Sequence, residues 1–143
     1  MAERPDYREI EHTADVGLEL EAPDLKAAFE LAAASMFDLM CDLDGVGDDV
    51  CRTVRVRARD ADLENMMVRW LTELLFLFES EGLLLSGFDV RELKSGAIEA
   101  SVAGERFDPS RHAFKTELKA VTYHDMAVEE VDGRWHVRVI FDT

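Results

Sequence analysis

Two apolar stripes at helical spacing, set among segments that alternate with a period of two, restrict this chain to a mixed fold. Leu25, Ala28, Phe29, Ala32, Met36, Leu39 and Met40 recur at intervals of three and four and predict a helix over about 25–41, with Asp24 as its N-cap. Leu63, Met66, Met67, Trp70, Leu71, Leu74, Leu75, Leu77 and Phe78 make a wider stripe. It predicts a second helix over about 63–81, capped by Asp62, ended by Gly82 and buried between layers. Val16, Leu18, Leu20 and Ala22 alternate with Glu19 and Glu21, the pattern of a half-buried strand. A short strand over 7–11 precedes it. Val54, Val56 and Ala58 mark another, and strands are expected at roughly 87–94, 97–107, 118–131 and 135–142, with Ser95-Gly96 and Asp132-Gly133 as hairpin turns. The expected architecture is α+β: two helices packed on antiparallel β-sheet in a single compact domain over residues 1–143.

Charge narrows the function. The chain has 31 acidic residues against 16 basic ones, a net charge of −15. That disfavours a broad nucleic-acid footprint, which needs basic surface. The acids are spread rather than blocked and lysine is scarce, so the excess reads as adaptation to a salty cytoplasm, where counterions screen self-repulsion. The competing reading is an acidic patch for a basic partner. No apolar run approaches the roughly 18 residues that span a membrane. The polar segment 1–8 is unlike a signal peptide, so a cytoplasmic location is expected. Cys41 and Cys51 match neither a metal pair nor a disulfide framework and are expected to be reduced.

Several motifs read as structural. Asp42 to Asp49 is acidic and contains glycines, but the calcium-loop template would place its first and last ligands at Met40 and Cys51, so it is a solvated turn. Arg55, Arg57 and Arg59 form a stripe that could grip phosphate, though a wet sheet face paired with Glu19 and Glu21 is the simpler expectation. No Walker loop, HExxH, GxGxxG or GxSxG is present. What remains is a set of charges beside apolar, strand-forming residues: Asp15, Lys119 and Asp142. Alone, Asp15 reads as a turn cap and Asp142 as a frayed, solvated acid. Together with the terminal carbonyl or carboxylate of Thr143, the two carboxylates would suit a hard, oxygen-seeking cation. Lys119 would then balance charge or hold a phosphate. His12 and His124 are borderline ligands or ordinary structural histidines.

A longer pattern joins these residues. His12-Thr13-Ala14-Asp15, Trp70-Leu71, Glu73-Leu74-Leu75, Gly104-Glu105 with His112 downstream, Lys119-Ala120-Val121-Thr122-Tyr123-His124, and Trp135 with Val139-Ile140-Phe141-Asp142 follow in this order. In that order and at this length the chain resembles the archease family. The resemblance implies an α+β fold and a non-catalytic accessory protein. The partner it implies is the RNA ligase that joins 2′,3′-cyclic phosphate or 3′-phosphate ends to 5′-hydroxyl ends in tRNA splicing, using manganese and GTP through a guanylylated histidine. The family speeds ligase guanylylation and restores multiple turnover. The family's metal-binding acids fall on Asp15 and Asp142, and its activating lysine on Lys119; from the residue pattern itself, His12 and His124 are candidates to stand behind those ligands. The ion is calcium, manganese or magnesium. RNA is contacted only through the ligase, and no membrane is involved. The alternative is a chaperone-like or scaffold module without metal chemistry. A metal-dependent hydrolase is weaker still, having no general base beyond His12 or His124.

The charge excess yields a test. Self-repulsion lengthens its reach as the Debye length grows in dilute buffer. The melting temperature should therefore rise substantially between dilute buffer and molar potassium chloride in a thermal-denaturation series. A flat response would remove the salt-adaptation reading.

Overall fold

The computed structural model describes residues 4–11 and 15–143. In chain order the elements are β1 (Arg8–Glu11), β2 (Asp15–Ala22), α1 (Leu25–Met40), β3 (Val50–Arg57), α2 (Leu63–Glu81), β4 (Leu83–Lys94), β5 (Ala97–Arg106), β6 (Ala120–Val121), β7 (Ala127–Val131) and β8 (Arg134–Asp142). They form two antiparallel sheets rather than one. The first runs β1-β2-β8-β6, with β7 also on β8; the second runs β3-β5-β4. Each helix touches both sheets, which accounts for the width of their apolar stripes. One cluster of buried side chains draws on all of these layers.

Both helices start and stop where their caps say. Asp24 accepts from the Ala27 N–H at 2.8 Å and Asp62 from the Asn65 N–H at 2.9 Å, each satisfying a donor with no partner inside its helix. Gly82 ends α2 with φ of 69°, a left-handed conformation that other residues adopt only under strain. The helices are tied by the buried Trp70, whose indole N–H donates to the Phe29 carbonyl at 3.0 Å.

Three expectations need correction. The run 118–131 is not one strand. The Thr122 N–H and hydroxyl both donate to the Ile140 carbonyl, at 3.0 and 2.9 Å, and the Met126 N–H closes a turn onto Tyr123. With Asp125 at φ of 50°, the chain breaks into two short strands on the same partner, β8. Strand β4 begins at Leu83, directly after the cap, because the fully buried Leu83, Leu84 and Leu85 continue an apolar run that periodicity cannot divide from a helix. Arg55, Arg57 and Arg59 do not meet Glu19 and Glu21, which lie in the other sheet; Arg55 of β3 pairs with Glu99 at 2.8 Å, and Arg59, beyond the end of the strand, with Asp62 at 3.4 Å.

One buried carboxylate organises the approach to the first sheet. Asp38, fully buried near the end of α1, accepts from the Tyr7 hydroxyl at 2.9 Å and the Leu43 N–H at 3.3 Å, and lies 3.4 Å from Arg4 and 3.9 Å from Lys115. Burial and the Asp38 carboxylate push the Tyr7 hydroxyl well above its ordinary pKa, so it remains a donor. Asp38 thus holds the segment that leads into β1 and the segment that leads to Lys119. Glu105 plays a similar part near the end of β5. Burial pushes its carboxyl up, but bonds from His112, Arg111 and the Gly47 N–H outweigh burial and hold it below the usual range. Asp38→Ala should cost about 2–3 kcal/mol in denaturant unfolding, since it strands buried donors, and Tyr7→Phe about 1 kcal/mol. A change within error for Asp38→Ala would mean that water replaces the carboxylate without loss.

Candidate functional site

Strand β2 pairs with β8 over its whole length, from Asp15 opposite Asp142 to Ala22 opposite Trp135. Direct partners in an antiparallel ladder project to the same side of the sheet. Val16 with Phe141, Leu18 with Val139 and Leu20 with Val137 face the core and are buried. The alternate row lies on the opposite face: Asp15 with Asp142, Gly17 with Ile140, Glu19 with Arg138, and Glu21 with His136; Gly17 and Ile140 are buried there, while Arg138 and Asp142 are exposed. Along that row charges meet their opposites. Arg138 reaches Glu19 at 2.6 Å, Arg8 also pairs with Glu19, and Arg134 and His136 approach Glu21 at 3.3 and 3.4 Å.

At the end of the ladder this rule reverses, because Asp15 stands opposite Asp142. Among the described residues neither carboxylate has an ion pair. Like charges directly opposite each other destabilise a sheet by up to about 1 kcal/mol. The register is nonetheless held. Gly17, one row inward, leaves the space where a Cβ would lie 2.6 Å from Ile140 Cδ1 and 2.7 Å from the Val139 carbonyl oxygen, so the strands approach closely beside the two acids.

Asp142 is not the frayed acid that its position suggested. Its backbone lies between two strands, with Asp15 on one side and Ala120 of β6 on the other, and its carbonyl accepts from the Lys119 N–H at 2.8 Å. Its side chain is exposed, while Asp15 is half-buried. The Lys119 backbone therefore joins the pair, but its ammonium does not: no ion pair links it to either carboxylate. Lys119 lines a separate hollow of about 290 Å³ with Met40, Phe78, Phe114, Glu79 and Glu117. The expected convergence of two carboxylates and an ammonium holds for the carboxylates alone. Thr143 is exposed beside Asp142. His124 is exposed, its ring nitrogen 3.4 Å from Asp125 rather than from either site acid. His12 lies outside the described residues.

Two facing carboxylates on adjacent, well-held strands form an oxygen-donor set of the kind a hard divalent cation takes. Among the described residues no group of three or more histidine, cysteine or acidic side chains gathers around one point. Two side chains alone are fewer than the shell of such an ion, so any ion held here would take its remaining ligands from water, main-chain oxygens or a partner's groups.

Two antiparallel sheets with two helices between them define the class: a small α+β protein of the kind seen in the solution structure of Methanobacterium thermoautotrophicum protein 1598. That structure matches with a TM-score of 0.82 and 34% identity, over 96% of this chain and 98% of the other. The crystal structure of an archease from Thermotoga maritima, called a possible chaperone, shares the fold with a TM-score of 0.62 at 20% identity, over 95% of this chain and 96% of that one. The model of the Archease protein family matches residues 7–143. Protein archease of Methanopyrus kandleri is 41% identical over 139 residues, covering 95% of this chain and 98% of its own length. That of Methanosarcina mazei is 36% identical over 140 residues, covering 95% and 94%. The chain belongs to the archease family. These relatives carry a family name rather than the name of a reaction.

The acidic row makes a direct prediction. In chelator-treated protein, Asp142→Asn should raise unfolding stability by about 0.5 kcal/mol, because it removes a like-charge opposition from the ladder. A loss of stability would mean that the Asp142 carboxylate makes a stabilising contact that outweighs its opposition to Asp15.

Proposed function

We propose that this chain is a non-catalytic accessory protein that activates an RNA-splicing ligase in the cytoplasm, and that Asp15 and Asp142 hold a divalent cation in doing so. The observation that carries the reading is the carboxylate pair. A ladder that matches opposite charges along one face ends in two acids held opposite each other with no cation of the protein's own among the described residues. Family membership supports the partner. An exposed site with two carboxylates suits magnesium or manganese, which keep several waters, better than calcium, which takes six to eight oxygens.

A bound divalent ion would supply concentrated positive charge for neutralising phosphate oxygens. The chain's own residues do the rest. Strands β2 and β6 clamp the Asp142 backbone from both sides, and β1 fixes Val16 beside Asp15. Lys119, exposed at the rim of its own hollow, offers a compact ammonium to a phosphate or a carboxylate of the partner. The ligase carries the bulk of the RNA, since a surface with a net charge of −15 repels a long polyanion.

Exposed apolar rings favour a second reading, a chaperone-like holding module. Phe76 and Phe114 are 57% and 42% exposed. Suppression of thermal aggregation of an unrelated protein, unchanged by Asp15→Asn, would support it.

Single-turnover guanylylation of the ligase separates the two. The wild-type chain should accelerate it. Asp15→Asn and Asp142→Ala should remain folded by circular dichroism and lose most of that acceleration, and Lys119→Arg should restore only part of what Lys119→Ala loses. No acceleration by wild type would overturn the activator reading, and full activity of folded Asp142→Ala would remove the carboxylate pair from it.

A further inference from the structure

The second sheet presents a charge arrangement opposite to that of the molecule as a whole. The chain has 12 arginines, at positions 4, 8, 52, 55, 57, 59, 69, 91, 106, 111, 134 and 138. Among the described residues, all but three are ion-paired with a carboxylate. Of those three, Arg106 donates to the Glu81 carbonyl at 2.8 Å. The other two, Arg57 and Arg69, line the same surface groove, of about 410 Å³, between β3 and α2. With so many acids on the chain, two guanidinium groups left without a carboxylate at one place form a local exception to the charge-pairing seen elsewhere.

The rest of the groove is of a kind with them. Arg55, held by Glu99 at 2.8 Å, lies on the same wall, and Thr72 adds a hydroxyl; Glu73 is the one carboxylate among the lining side chains. Tyr123 closes the groove. The residue is 51% exposed, yet its hydroxyl is held. The buried Asn65 donates to its hydroxyl at 2.6 Å, and Asn65 is itself held by the Arg59 N–H at 3.0 Å. The turn that carries Tyr123 is closed by the Met126 N–H at 3.2 Å. An exposed aromatic face whose rotamer is already settled loses little entropy when a planar group stacks on it.

Guanidinium forks bind phosphate in a bidentate manner, and a tyrosine face stacks on a base. We propose that this groove binds one nucleotide unit, with Arg57 and Arg69 on the phosphate and Tyr123 against the base. The unit is either a free nucleotide or a residue of single-stranded RNA. A footprint of one unit is compatible with an acidic protein, because it asks for two phosphate-facing cations rather than a basic surface.

Equilibrium binding to the isolated chain tests this without any ligase, so the result is independent of the activator reading. The probes are guanosine monophosphate, inorganic phosphate, a fluorescent pentauridylate and a hexaglutamate peptide, each followed at low and at raised ionic strength. Nucleotide and oligonucleotide should bind, and Arg57→Ala with Arg69→Ala should weaken both by at least about tenfold. Arg69→Lys, which keeps the charge and loses the fork, should fall between. Tyr123→Ala should weaken nucleotide and oligonucleotide by at least about fivefold and leave inorganic phosphate unchanged, whereas Tyr123→Phe should change little. Pentauridylate binding tighter than the mononucleotide, with a steeper salt dependence, assigns the groove to RNA; equal or tighter mononucleotide binding assigns it to the free ligand. Binding of neither, equal binding by the double variant, or hexaglutamate competing as well as pentauridylate would overturn the proposal.

Discussion

The pairing of β2 with β8 is the constraint on which the rest depends. It joins residues from opposite ends of the sequence in eight consecutive rows, and its two faces have different tasks. The inward face supplies Val16, Leu18, Leu20, Val137, Val139 and Phe141 to the core. A slip of β2 by one residue would turn Val16, Leu18 and Leu20 away from the core and bring Asp15, Glu19 and Glu21 towards it, so burial fixes the register strongly. Because the register is fixed, the two aspartates stay direct cross-strand partners. The acidic pair is a consequence of hydrophobic burial along the same strands.

Neighbouring elements make that end of the ladder rigid from every side that is described. Strand β6 adds its two residues to the outer edge of Asp142 and Phe141, and the bonds from Thr122 to Ile140 continue the clamp. Further back, the buried Asp38 carboxylate ties together Tyr7, ahead of β1, and Lys115, ahead of β6. One buried charge near the end of α1 thus steadies both chain segments that approach the site. Buried carboxylates are costly unless their partners are supplied, and Asp38 receives a hydroxyl, a backbone N–H and two cations.

Much of this was legible in the sequence. The two helices follow from spacing and caps, and Asp24, Asp62 and Gly82 mark their ends as expected. The alternation in β2 and the turn signals at Ser95-Gly96 and Asp132-Gly133 also hold, with Asp132 and Gly133 both at positive φ. What was not legible depends on distant pairing. The sequence grouped Asp15 with Asp142, but that they stand as direct cross-strand partners is a matter of register between remote strands, which no local pattern encodes. The division of the strands into two sheets, which separates Arg55 and Arg57 from Glu19 and Glu21, is equally non-local. So is the position of Arg69 across a groove from Arg57. The split of 118–131 turns on hydrogen bonds from Thr122 to β8, which a β-favouring composition conceals.

The central claim is that the facing carboxylates form a cation site rather than an unrelieved repulsion. Isothermal titration of manganese and of magnesium into chelator-stripped protein, in potassium chloride high enough to suppress general screening, tests it most directly. The account predicts saturable binding of one ion per chain that is lost in both Asp15→Asn and Asp142→Asn, with wild-type melting temperature rising by mass action as the ion is added. Binding of equal strength in the two variants, or a response in wild type that never saturates, would contradict it.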